Sequence, residues 1–182
     1  GYLICGWFLA NHVWEVPYTL HTEKQTGSLR VVQFADSHVG TTFDGKGLEK
    51  YVEEMQQTNP DVVVITGDFV DDDTSKQDMI DACHALSKLN PTYGVYFVFG
   101  NHDKGYYDPE YRGYDGDDLI KELEKNGVHV LQDDVELIDN RFYLIGRQDR
   151  SEEQKGGSRA SMQKLTENLD TSKYSIVLDH QP

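Results

Sequence analysis

The sequence predicts an α/β fold built on a largely parallel sheet covered by helices on both faces. Three observations carry this. Apolar runs of strand length alternate with helical patterns along the chain. The runs are apolar throughout rather than alternating, as strands buried on both faces are. Four of them end on Asp, Asn or His, where ligands bind at the carboxyl ends of strands in open α/β sheets. With 182 residues and no repeat or low-complexity linker, the chain reads as one domain with a core of its own.

The elements follow in order. In 14–22, WEVPYTLHT, the residues Trp14, Val16, Tyr18 and Leu20 share one face at period two, which predicts an edge strand that tolerates Pro17. LRVVQFA (29–35) is the first buried-type strand. Leu48, Tyr51, Val52 and Met55 set helical spacing over 47–58, stopped by Asn59-Pro60. DVVVITGD (61–68) is the second such strand, 75–89 a helix with Met79, Ala82, Cys83 and Leu86 on one side, and 93–103 the third strand. A helix over 117–127 closes at Gly127. Residues 128–149 read as shorter strands forming an antiparallel portion, 150–158 as a loop, 159–170 as a helix and 174–180 as the last strand.

Charge excludes one class of partner. Lys plus Arg is 17 and Asp plus Glu is 32, a formal charge of −15, which repels long nucleic acid. Carboxylates that hold divalent cations raise the same count. The two cysteines, Cys5 and Cys83, form neither a disulfide framework nor a thiolate zinc site. Gly1–Ala10, GYLICGWFLA, is too short to span a bilayer, which takes about 20 residues. Two readings stand for residues 1–12: a buried N-terminal segment, or the remnant of a membrane anchor with Trp7 and Trp14 as interfacial aromatics.

The strand ends carry the chemistry. Asp36-Ser37-His38, Gly67-Asp68, Gly100-Asn101-His102-Asp103 and Asp179-His180 would meet at one sheet edge if their strands lie side by side and parallel. Singly, each has a bland alternative: a turn former, a helix cap, a surface histidine. Jointly, Asp36, His38, Asp68, Asn101 and His180 make an oxygen and imidazole set suited to Mn, Fe, Zn or Co.

The order D-x-H, GD-x-x-D, GNH-D and a later His resembles the calcineurin-like metallophosphoesterases over residues 29–182. The N-terminal stretch and the run LIGRQD resemble that family's bacterial membrane-tethered branch. The resemblance implies an α/β/β/α sandwich of mixed sheets flanked by helices. It implies two divalent metals, Mn, Fe or Zn, holding a bridging hydroxide. Asp36 and His38 would bind one metal, Asp68 would bridge, and Asn101 and His180 would bind the other. His102 would protonate the leaving oxygen, and Asp71 would orient that histidine, although it also opens an acidic surface run, Asp71-Asp72-Asp73. Asp71 is followed by acids where protein phosphatases carry Arg-Gly, which argues against that branch.

The family's fifth motif, GH-x-H, occurs nowhere in this sequence. Residues 13–182 are therefore expected to form a phosphoesterase domain lacking its C-terminal part, with weak or no activity alone. The Tyr- and Gly-rich segment 105–118 reads either as a substrate loop or as a surface excursion. Tyr106, Arg112, Arg147 and Arg150 are candidates to hold substrate, the arginines through a second phosphate. Asp149 has no role that the sequence derives. The expected function is hydrolysis of phosphodiester or pyrophosphate bonds in small or lipid-linked substrates at the cell membrane. The alternative is a non-catalytic metal-binding module that keeps the fold.

Overall fold

Layering follows from β2 (Val62–Thr66), in which all five residues are buried. It pairs in parallel with β1 (Val31–Phe34) on one side and β3 (Val95–Val98) on the other, and β4 (Val128–Val130) completes the order β1-β2-β3-β4. The computed structural model describes residues 12–24, 26–106 and 109–182, so the apolar stretch before His12 lies outside the described residues.

Alternate residues of β2 and β3 feed two different cores, as the period of a strand requires. Val63, Ile65, Val95 and Phe97 pack on the helical layer: α1 (Leu48–Gln57) through Leu48 and Val52, α2 (Lys76–Leu86) through Met79 and Cys83, and later α4 (Gly116–Lys125) through Leu119 and Leu123. Val62, Val64, Tyr96 and Val98 face the other way, onto a second sheet. Each fully buried Val or Ile here contributes about 1.5–3 kcal/mol.

The second sheet is β5 (Asp134–Ile138), β6 (Phe142–Gly146) and β7 (Tyr174–Leu178), with β5 antiparallel and β7 parallel to β6. Its inner face supplies Ile138, Phe142, Leu144 and Leu178. Tyr143 and Ile145 on its outer face pack against Leu165 and Met162 of α6 (Met162–Thr166). The layers are thus helix, sheet, sheet, helix, as the resemblance implies. The uniform apolarity of β2 and β3 therefore reflects a second sheet on the far face, where periodicity alone suggests helices.

Local chemistry explains the element ends. Ser75 Oγ accepts from Asp78 N at 3.1 Å to start α2. Asp115 and Asp118 form a reciprocal capping box on α4, and Gly127 follows its end at φ +82°. Two short helices complete the chain: α3 (Pro109–Arg112) within the Tyr-rich segment, and α5 (Ser151–Gln154) where a loop is expected. Residues 14–22 form no strand. Trp14, Val16, Tyr18 and Leu20 are 60–84 % exposed, and among the described residues no strand pairs with this stretch. The helix expected over 159–170 shortens to α6. Ala160 N is held by Asp133, and Ser161 caps the helix by accepting from Lys164 N.

Candidate metal centre

The loops after β1 and β2 continue the strand pairing beyond the sheet. Asp36 N donates to Gly67 O (3.0 Å), His38 N to Asp68 O (3.1 Å) and Val39 N to Phe69 O (3.0 Å). This zipper carries Asp36, His38 and Asp68 at positive φ, 55°, 37° and 51°. Such conformations cost about 1–3 kcal/mol each and persist where the surroundings over-determine them, as at functional sites.

Two glycines let the strand ends close up. A Cβ on Gly67, at φ +85°, would lie 2.5 Å from Gly100 N and 2.8 Å from His180 Nδ1. A Cβ on Gly100 would lie 2.3 Å from Asp68 Oδ1. Between them sits Asp103, fully buried, which fastens the second motif to the third. Its Oδ2 accepts from Asp68 N (2.9 Å) and Gly100 N (2.7 Å), and its Oδ1 from Phe69 N (2.8 Å) and Val70 N (3.0 Å). Burial pushes this carboxyl up to about 6 against the pull of those N–H groups. The GNH-D spacing signals this hub, although sequence reading assigned Asp103 no role.

β7 lies in the second sheet, not beside β1, β2 and β3, yet its end still reaches the others. His180 Nδ1 lies 2.8 Å from Thr66 O, an acceptor that fixes the ring proton on Nδ1 and turns the Nε2 lone pair inward. Nε2 faces Asp68 Oδ2 at 3.4 Å and Asn101 Oδ1 at 3.2 Å. On the other side, His38 Nε2 lies 3.6 Å from the same Asp68 Oδ2, while its Nδ1 is 3.2 Å from Asp71 Oδ2. Ligand atoms of Asp36, His38 and Asp68 fall within 4.8 Å of one another.

One carboxylate oxygen thus stands between two inward imidazole nitrogens. Nε2 of His180 faces two acceptors, Oδ2 of Asp68 and Oδ1 of Asn101, an arrangement that a proton on Nε2 or a cation among the three would satisfy. Burial lowers the His180 pKa, but the Thr66 carbonyl and the charges of Asp68, Asp36 and Asp149 outweigh it and raise it overall. The donor set fits divalent cations that take mixed oxygen and imidazole ligands.

The remaining candidates divide. The His102 ring stands edge-to-face with those of His38 and Tyr106, at centroid distances of 5.2 and 5.1 Å, and the backbone N–H of His102 donates to Asp68 Oδ1 (2.9 Å). Asp71 backs His38 rather than His102, because Thr41 Oγ1 at 3.2 Å and Thr74 hold it toward the β1 loop. Tyr106 is half exposed beside Asn101. Arg112 is buried, and its donors go to Tyr114 O, Asp71 O and Asp103 O, which makes it a tie between loops. Arg147 pairs with Asp179 at 2.8 Å, as Arg159 does at 2.5 Å, so the two clamp the residue preceding His180. Arg150 is exposed at the start of α5. Asp149 is 1 % exposed, with Oδ1 accepting from Ser151 N.

Comparison with known proteins gives the family. A family model described as calcineurin-like phosphoesterase matches residues 29–182. An uncharacterized metallophosphoesterase of Aquifex aeolicus is 31 % identical over 169 residues, covering 91 % of this chain and 60 % of that protein. An uncharacterized metallophosphoesterase of Campylobacter jejuni is 30 % identical over 156 residues, 85 % of this chain and 38 % of its own length. A transmembrane protein with metallophosphoesterase domain from Danio rerio is 30 % identical over 176 residues, 92 % of this chain and 38 % of that protein. The chain therefore spans less than two thirds of each of these relatives. Among the described residues, no helix is long and apolar enough to cross a membrane.

Proposed function

Since the chain belongs to the calcineurin-like phosphoesterase family, whose members hydrolyse phosphoesters with divalent metals, we propose that it cleaves phosphodiester or pyrophosphate bonds at a two-cation centre. Asp36, His38 and Asp68 hold one cation; Asp68, Asn101 and His180 hold the other. The observation that carries this is Asp68 Oδ2, 3.6 Å from His38 Nε2 and 3.4 Å from His180 Nε2. A carboxylate there offsets the repulsion between two dications. When bound, Mn, Fe or Zn supplies Lewis-acid polarisation of the phosphate and an activated water.

The chain's own side chains do the rest. Asp71 accepts a hydrogen bond from His38 Nδ1 and the Thr66 carbonyl accepts one from His180 Nδ1, so both rings present Nε2. His102 stands at the rim and delivers a proton to the leaving oxygen. Exposed Arg150 and half-exposed Tyr106 are the candidates to meet a substrate carrying further negative charge. Net acidity favours small or lipid-linked phosphoesters over long nucleic acid. The Danio rerio relative's name supports action at a membrane.

In this reading each cation has three ligands among Asp36, His38, Asp68, Asn101 and His180. The second reading is a metal-binding module without catalysis. Hydrolysis of bis-p-nitrophenyl phosphate with added Mn separates them. A slow, EDTA-sensitive rate that Asp68→Asn removes supports the hydrolase. Tight Mn binding with no rate, even in a chain extended by a GH-x-H segment, supports the module.

A further inference from the structure

An asparagine ligates a cation only through Oδ1, so a site built on one must fix which end of the amide turns inward. Asn101 Nδ2 donates to Tyr106 Oη at 2.7 Å, and this phenol oxygen lies on the side away from His180. Oδ1 consequently faces His180 Nε2 at 3.2 Å and accepts from Gln181 Nε2 at 2.7 Å. Tyr106 is itself held on three sides. Its N–H donates to Asp72 Oδ1 (2.8 Å), its ring meets His102 edge-on at 5.1 Å, and Lys155 Nζ sits 5.0 Å from the ring centroid. A residue this exposed, 52 %, with so many constraints on its orientation is not there for burial.

We propose that Tyr106 is a positioning residue for the second cation: its hydroxyl, as acceptor from Nδ2, selects the Asn101 rotamer that presents oxygen to the metal. The inference rests on the two-cation reading above. Without the phenol oxygen, the amide loses its preference between oxygen-in and nitrogen-in, and the fraction competent to bind falls. Outer partners of metal ligands typically change affinity by about 10–100-fold.

The experiment is a double-mutant cycle read by Mn calorimetry and Mn electron paramagnetic resonance, without substrate. Tyr106→Phe, whose ring contacts persist, is expected to weaken the second Mn by about 10-fold and leave the first unchanged. In an Asn101→Asp background both inward atoms are oxygen, so orientation no longer matters, and Tyr106→Phe is expected to change Mn affinity by less than about twofold. An unchanged second site in Tyr106→Phe overturns the inference while the metal centre stands. Equal losses in both backgrounds overturn it too, since Tyr106 would then act by holding its loop. A wild-type chain that binds no Mn removes the metal centre itself, and this inference with it.

Discussion

Gly67→Ala tests how closely the strand ends must approach. Two penalties add. Alanine at φ +85° sits in the left-handed region, at about 1–2 kcal/mol. The new methyl would stand 2.5 Å from Gly100 N and 2.6 Å from Gly100 Cα, both backbone atoms that cannot rotate away. Overpacking of this kind costs about 1–3 kcal/mol. The reduced freedom of the unfolded chain returns about 0.4–1 kcal/mol. The net loss is about 1–5 kcal/mol, read as a shift in urea midpoint at constant slope.

Function should suffer more than stability. Ordinary contact begins near 3.4 Å, so Gly100 must retreat by several tenths of an ångström and take Asn101 with it. His180, whose Nδ1 would lie 2.8 Å from the methyl, must retreat as well. Displacements approaching 1 Å cost about 10²-fold in catalysis. Calorimetry should therefore show the second Mn lost while the chain remains folded. Full stability and unchanged Mn binding in Gly67→Ala would refute the claim that these loops are packed to contact.

Asp71→Asn replaces the acceptor behind His38 Nδ1 and is expected to weaken the first Mn by about 10-fold or more, measured by calorimetry. Asp78 is held below the ordinary carboxylate range by the Gly45 N–H and the Ser75 hydroxyl. Its contribution to stability is therefore present above about pH 4 and lost as pH falls below that, so Asp78→Asn should flatten the acid arm of a stability–pH profile. Burial pushes the Cys83 thiol well above its ordinary range, so the Cys83 peptide should resist maleimide at pH 8 in the folded chain and label fully in urea.

Much of this centre is legible in the residues, for a definite reason. Apolar strands announce their ends by switching from Val and Ile to Asp, Asn or His, and β1, β2 and β3 each do so, although β1, expected to be buried, lies at the sheet edge and is only partly covered. The second sheet is harder to read: Val62 and Val64 are as apolar as Val63 and Ile65, and apolarity does not say whether a helix or a strand covers it. The period-two pattern at 14–22 misleads because a strand needs a partner's hydrogen bonds, which pattern does not supply. Arg112 and Arg147 look like phosphate binders until their donors are traced to Asp103 O and Asp179. Asp103 is the converse case, a residue read as part of a motif whose four backbone partners appear only in three dimensions.

The most direct test is anomalous scattering from crystals of this chain soaked in Mn. Two peaks flanking Asp68 Oδ2, about 3.5–4 Å apart, one toward His38 Nε2 and one toward His180 Nε2, are the expected result. Mn found elsewhere, or none at this carboxylate with the crystal intact, would contradict the account at its root.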